Sequence, residues 1–212
     1  MNQIKKASEF FSSRRSVSVR NLKYPGPSEK QIMDILKSAF RVPDHGKLEP
    51  WRIVLITEDN KKSYISMIEK RGKEVGIDSH KVEKSIVNLS KTPLIVTVIC
   101  SPINDTKIPE IEQILSCGAL CLNILNNFLA NGWGANWLTG WMANDKELGR
   151  LAFNTSKNEF VAGYLYVGSF DESITDRPRP QLEKKISYFQ YLAFSHDLFQ
   201  RLTKYHLNLN YE

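Results

Sequence analysis

Two stretches decide the fold between them. The first is Leu94-Ile95-Val96-Thr97-Val98-Ile99-Cys100. The second is Ile111-Glu112-Gln113-Ile114-Leu115-Ser116-Cys117-Gly118-Ala119-Leu120-Cys121-Leu122-Asn123-Ile124-Leu125 and its continuation to Asn131. The first is a β-branched run bounded by Pro93 and the polar loop 101–109, which predicts a central strand. The second predicts a long helix over 111–131 that is apolar on most faces. Such a helix lies at the centre of a fold or in an oligomer interface.

Working outward, Ile53-Val54-Leu55-Ile56 reads as a buried strand over 52–57, and 160–168 as a further strand. Residues 133–141 begin as a glycine-broken turn and contain a short strand. Helices are predicted at four places on the N-terminal side. One runs up to Ser13, with Ile4, Ala7 and Phe11 on one face. One follows Ser28, whose capping box with Gln31 precedes Ile32, Ile35, Leu36, Ala39 and Phe40 at helical spacing. The others cover 61–71, as a surface helix, and 79–89. Further helices are predicted over 145–152, capped by Asn144, and over 187–206. Helices and strands interleave with loops too uneven for regular βαβ units. The reading is therefore α+β: a mixed, mostly antiparallel central sheet flanked by helices.

The chain has 212 residues, 42% apolar and 25% charged, which excludes disordered and collagen-like classes. Its size allows about 70% of the surface to be buried without disulfides or metals. The net charge of +6 is scattered rather than blocked, so it does not mark a nucleic-acid binder. Three cysteines, Cys100, Cys117 and Cys121, are too few and odd for a secreted disulfide framework. Cys117 and Cys121 read as small buried hydrophobes. No signal peptide is read at the N-terminus, and polar residues interrupt 111–130 as a membrane span. The expected location is cytoplasmic.

Several motifs could carry chemistry. Arg14-Arg15-Ser16 follows a helix, and two guanidiniums with a hydroxyl suit a phosphate. The competing reading is a solvated helix end complementing the helix dipole. Arg177-Pro178-Arg179-Pro180 holds two arginines on stiffened backbone, suited either to anion capture or to an exposed linker. Between Pro43 and Arg52, a loop presents Asp44, His45 and Glu49. There His45 is a general acid/base or an ordinary polar residue, and nothing requires Asp44 and Glu49 to work as a pair. Gly132-Trp133-Gly134-Ala135-Asn136-Trp137 fails as a dinucleotide fingerprint: Trp137 holds the third glycine position and a helix precedes it. The phosphate-binding loop of NTPases is absent, and no ligand-like spacing indicates a metal.

In this order, the segments resemble the flavin-dependent nitroreductase family, in its branch of small NAD(P)H nitroreductases. The resemblance rests on Arg14-Arg15-Ser16, Pro43-Asp44-His45-Gly46 with Pro50-Trp51-Arg52, and the long helix containing Asn123. It continues with Asn136-Trp137-Leu138-Thr139-Gly140, Gly163-Tyr164-Leu165-Tyr166-Val167-Gly168, and Arg177-Pro178-Arg179-Pro180. It covers roughly 8–190. It implies a nitroreductase-like fold in an intertwined homodimer packed through the 111–131 helix, with one FMN in each of two interface sites. Arg14, Arg15 and Ser16 would hold the phosphate and ribityl chain, joined by Arg179 and Arg177. His45 and Glu49 would approach from the partner chain, and Trp137, Leu138 and Thr139 would line the flavin. The resemblance also implies that NADH or NADPH and a small-molecule acceptor take turns on the flavin, with no side chain needed as catalyst. It divides the chain into an FMN-binding domain, 1–190, and a C-terminal helical extension, 191–212. That extension either wraps the partner, shapes the acceptor pocket, or simply packs on the surface.

Three departures stand out. Glu49 occupies a position that is mostly non-acidic in the family, and its carboxylate opposes flavin reduction unless Lys47 or an arginine pairs with it. Leu138 stands where some relatives have a basic residue, and the tail is longer than in many. Two rival functions remain. One keeps the fold but fragments flavin or reductively dehalogenates, which calls for a lid, and 77–84 is the candidate. The other is a non-enzymatic module binding nucleic acid or another anion.

Overall fold

The computed structural model describes residues 3–171 and 175–189. The chain forms two units, up to residue 174 and from 175 onward. The first holds seven α-helices and four strands among its described residues: α1 Gln3–Ser13, α2 Glu29–Ala39, β1 Trp51–Ile56, α3 Glu58–Glu74, α4 Ser79–Lys91 and β2 Leu94–Cys100. These are followed by α5 Glu110–Ala130, β3 Gly134–Leu138, α6 Gly140–Asn144, α7 Lys146–Phe153 and β4 Phe160–Gly168. The strands form one sheet in the order β1-β2-β4-β3, and every pairing is antiparallel.

Strand β2 is central and buried along its whole length, as its unbroken apolar run requires. Leu94, Val96, Val98 and Cys100 face one core, built with Ile32, Ile35 and Leu36 of α2 and Leu120, Ile124 and Phe128 of α5. Ile95 and Ile99 face a second core, with Tyr64 and Ile68 of α3, Leu89 of α4 and Leu148 of α7. The fold is a sheet between two helical layers. Helix α5 is long and apolar enough to cross a membrane, yet Cys117, Leu120, Cys121, Ile124 and Phe128 lie in the first core. The neighbouring Cys117 thiol and burial push the Cys100 thiol far above its ordinary range, so it packs rather than reacts.

The capping box at Ser28 forms as its spacing requires: the Ser28 hydroxyl accepts from the Gln31 N–H, and Gln31 accepts from the Ser28 N–H. Elsewhere the structure differs from the sequence reading. Asp145, not Asn144, caps α7, its carboxylate accepting from the Leu148 N–H at 2.7 Å. Lys61 is not on a solvent face. It is only 3% exposed, and its ammonium donates to the Tyr24 hydroxyl and pairs with Glu58. Charge alternation in 61–71 hid this, because Tyr24, one of its two partners, is far away in sequence. Phe11 is 64% exposed rather than packed, and the Ile4 side chain lies outside the described residues. The expected lid at 77–84 is largely the first turns of α4. Residues 187–189 are not helical, and the remainder of the expected terminal helix lies outside the described residues.

One part-buried ion pair links β1 to the residue that leads into β4. Arg52 on β1 donates from Nε to Glu159 Oε1 at 2.7 Å, and from Nη2 to Glu159 Oε2 at 3.1 Å and to the Phe153 carbonyl at 2.9 Å. Ser101 Oγ and the Ser156 N–H complete the carboxylate's shell. The Arg52 guanidinium holds the Glu159 carboxyl down at about 2. A folded-state value below the unfolded one stabilises the protein above the ordinary carboxylate range, and the effect is lost as pH falls through about 2. Discounted for the part-exposed Arg52, Glu159→Gln is expected to cost about 2 kcal/mol at neutral pH. In urea unfolding, the gap between wild type and variant should narrow steadily from pH 5 to pH 3; a constant gap contradicts this account of the pair.

Candidate functional site

Strand β3 lies at one edge of the sheet, and its outer side is covered by the chain that follows α1. The Val17 N–H donates to the Ala135 carbonyl at 2.9 Å, and Asn136 Nδ2 donates to the Val17 carbonyl at 2.8 Å. Further along, Leu22 packs against Gly134, and Lys23 bridges to Ser169. The segment therefore runs antiparallel to β3 and carries Ser16, Arg15 and Arg14 towards Trp137 and Leu138. The residue after the first motif is thus docked on the strand that carries the second, more than a hundred residues away in sequence.

Arg14 and Arg15 are half-buried, not splayed from a solvated helix end. Arg14 Nη2 donates to Ser16 Oγ at 3.4 Å, while Arg14 Nε is buried with no hydrogen-bond partner among the described residues. A buried guanidinium N–H left unmatched costs free energy, and an anionic oxygen would satisfy it. The donor set fits a phosphate. Trp137 places its indole N–H 3.3 Å from the Ala162 carbonyl, with its ring against Gly163. Leu138 and Thr139 are exposed beside it.

His45 and Glu49 sit elsewhere. Asp44 spends its carboxylate on the N–H groups of Leu48 and Glu49, at 3.2 and 2.8 Å, so it fixes the loop rather than pairing with Glu49 for proton transfer. Gly46 has φ 72°, and a Cβ there would lie 2.4 Å from Ile108 Cδ1. Trp51 Nε1 and the Pro43 carbonyl both bond Ser116 Oγ, anchoring the loop to α5. His45 Nδ1 lies 2.7 Å from Glu112 Oε2, a partner that the sequence analysis did not single out. Among the described residues, no ion pair joins Glu49 to Lys47 or to an arginine.

This loop leads into β1, the opposite edge of the sheet from β3. Three strand spacings, about 14 Å, separate the two edges. Within one chain, His45 and Glu49 are therefore not brought to Arg14, Ser16 and Trp137. Arg177 and Arg179 belong to the second unit. There, Arg179 pairs with Asp176 at 3.4 Å, and the Arg177 N–H donates to the same carboxylate. A cavity of about 510 Å³ between Tyr24, Met33, Thr57 and Pro93 contains none of the residues nominated from sequence.

The sequence model of the Nitroreductase family matches residues 12–169, most of the chain. The chain belongs to the nitroreductase family. Membership makes it an oxidoreductase. Among relatives of this nitroreductase-family chain, the YdjA protein of Escherichia coli K12 bears the name of an NAD(P)H nitroreductase. It is 28% identical over 163 residues, covering 77% of this chain and 87% of YdjA. Two solved structures share the fold. A nitroreductase-like family protein from Bacillus cereus has a TM-score of 0.74 at 19% identity, over 90% of this chain and 99% of that one. The FMN- and NADPH-dependent nitroreductase NfnB from Sphigopyxis sp. strain HMH has a TM-score of 0.66 at 16% identity, over 87% and 99%.

Proposed function

We propose that this chain binds FMN and carries hydride equivalents from NADH or NADPH to nitroaromatic, quinone or similar acceptors, in a ping-pong cycle. The observation that carries the cofactor reading is the buried Arg14 Nε beside Ser16, unmatched among the described residues, at the edge strand leading to Trp137. Arg14 and Arg15 neutralise the phosphate, which bears nearly two negative charges, and Ser16 adds a short neutral donor. Trp137 and Leu138, at the end of β3, and Thr139, just beyond it, wall the ring system. FMN supplies reversible two-electron chemistry, so no side chain of this protein has to act as acid or base.

The functional unit in this reading is a soluble, cytoplasmic homodimer. Ile111, Leu115 and Leu122 form an exposed apolar stripe along one face of α5, with Leu115 64% exposed. A second copy packed on that stripe would supply His45 and Glu49, which one chain holds at the far edge of its own sheet. Glu49 in that position would disfavour negative charge on the reduced ring, which lowers the reduction potential.

The purified protein is expected to be yellow, to release FMN on acid denaturation and to sediment as a dimer. It should oxidise NADH or NADPH when nitrofurazone or menadione is added, with parallel lines in double-reciprocal plots. A colourless protein that takes up no added FMN overturns the reading.

A further inference from the structure

In the sequence motif Asn136-Trp137-Leu138-Thr139-Gly140, neither the resemblance nor the flavin contacts assign a role to Asn136. Asn136 lies on β3 between Ala135, which is wholly buried, and Trp137. Its side chain reaches across the sheet edge, Nδ2 donating to the Val17 carbonyl at 2.8 Å. One residue earlier on the strand, the Ala135 carbonyl accepts from the Val17 N–H at 2.9 Å. Val17 is thus held at both its backbone donor and its backbone acceptor. One bond comes from the β3 backbone and one from a β3 side chain.

This is not an extra strand. Among the described residues, backbone pairing with β3 is confined to Val17, and the chain turns into a short 3₁₀ helix at Val19–Asn21. Ordinary ladder bonding does not continue toward Ser16, so the Asn136 amide supplies the second tie that a neighbouring strand residue would otherwise make. Ser16 and the two arginines hang from this tie. A side chain one residue away from a clamped backbone has its starting point fixed. Holding Arg14 and Arg15 in place before an anion arrives lowers the entropy cost of binding it.

We infer that Asn136 is a positioning residue for the phosphate end of the cofactor: it clamps the Arg14–Ser16 segment to the strand that carries Trp137 and Leu138, and so sets how tightly FMN is held. The inference rests on the FMN reading above. Asn136 touches Val17 rather than the ligand, and acts through the arginines. Its tie to the backbone also couples the two ends of the site, because the strand that presents the ring-lining residues is the strand that registers the phosphate cradle.

The test uses FMN fluorescence quenching on apoprotein, together with peptide-resolved hydrogen exchange. In the wild-type apoprotein, the Val17 amide, whose N–H is held by the Ala135 carbonyl, is expected to exchange as slowly as the edge strand β3. Fast exchange there overturns the clamp, whatever the variants do. Asn136→Leu keeps the bulk of the side chain without the donor, and Asn136→Ala removes both. Each is expected to weaken FMN binding about tenfold, the loss expected for one such hydrogen bond, and to speed exchange at 14–18 while the central strands β2 and β4 are unchanged. Asn136→Ser retains a short donor and should recover part of the affinity. If both variants bind FMN within about twofold of a wild type that binds it, the role of Asn136 is overturned and the cofactor assignment stands. If wild-type apoprotein takes up no FMN, the cofactor assignment falls and this inference falls with it.

Discussion

Arg14→Ala/Arg15→Ala is expected to purify colourless and to bind added FMN at least a hundredfold more weakly than wild type, while unfolding at nearly the same temperature. Each guanidinium offers charge-assisted hydrogen bonds to phosphate, at about 1.5–3 kcal/mol apiece, and every 1.4 kcal/mol is tenfold in affinity. The fold tolerates the loss because both arginines lie outside the two apolar cores. Arg14 Nε is buried without a partner among the described residues, so truncation also removes an unsatisfied donor and costs the apoprotein little. The measurement is FMN titration beside thermal unfolding of the apoprotein. Full flavin occupancy in the double variant contradicts the phosphate assignment. A large fall in melting temperature would instead mean that the arginines stabilise the fold.

The layered architecture was legible in the sequence because its signals are local. The β-branched run at Leu94 to Cys100, the capping box at Ser28, and the apolar face of α5 each reflect short-range spacing, and each forms where that spacing puts it. Partners remote in the chain were not legible. Lys61 sits in a run of charges that reads as a solvated helix, and only Tyr24, far upstream, reveals that it is buried. The Arg52–Glu159 pair and the His45–Glu112 contact are hidden for the same reason. Side-chain chemistry at either end gives no hint of which opposite charge the fold will supply.

The candidate site divides the same way. Arg14-Arg15-Ser16 and Trp137-Leu138-Thr139 were each recognisable as segments, but their meeting depends on Val17 docking against the edge of β3, which no periodicity encodes. The cap of α7 went to Asp145 over Asn144 because one residue's shift decides which oxygen reaches the Leu148 N–H, and both residue types are good caps. Asp44 and Glu49 looked alike in sequence. Only the loop's positive-φ geometry at Gly46, Lys47 and Glu49 turns Asp44 inward, onto the backbone N–H groups of its own loop.

Gly163→Ala is expected to destabilise the protein by about 3 kcal/mol and to dislodge Trp137. Gly163 lies on β4, facing the layer of α2 and α5, and a Cβ built there would stand 1.9 Å from Trp137 Nε1 and 2.4 Å from its neighbouring ring carbon. A methyl group cannot share that space with an indole. The tryptophan is not the loose end of a flexible chain: its N–H is directed at the Ala162 carbonyl and its ring packs on the first core. Relief requires the indole to swing off the sheet, which breaks that hydrogen bond and exposes apolar area, or the β3–β4 pairing to open. Either route moves the wall that the proposed cofactor would lean on. The checks are chemical unfolding, the tryptophan emission maximum, which should shift to longer wavelength, and FMN affinity, which should fall with Arg14 and Arg15 untouched. Unchanged emission and stability would mean that the sheet absorbs a methyl group here without moving Trp137, and the packing account of this glycine would be wrong. A loss of stability with emission unchanged would locate the strain in the backbone of β4 rather than in the indole, and Trp137 would then keep its place at the site.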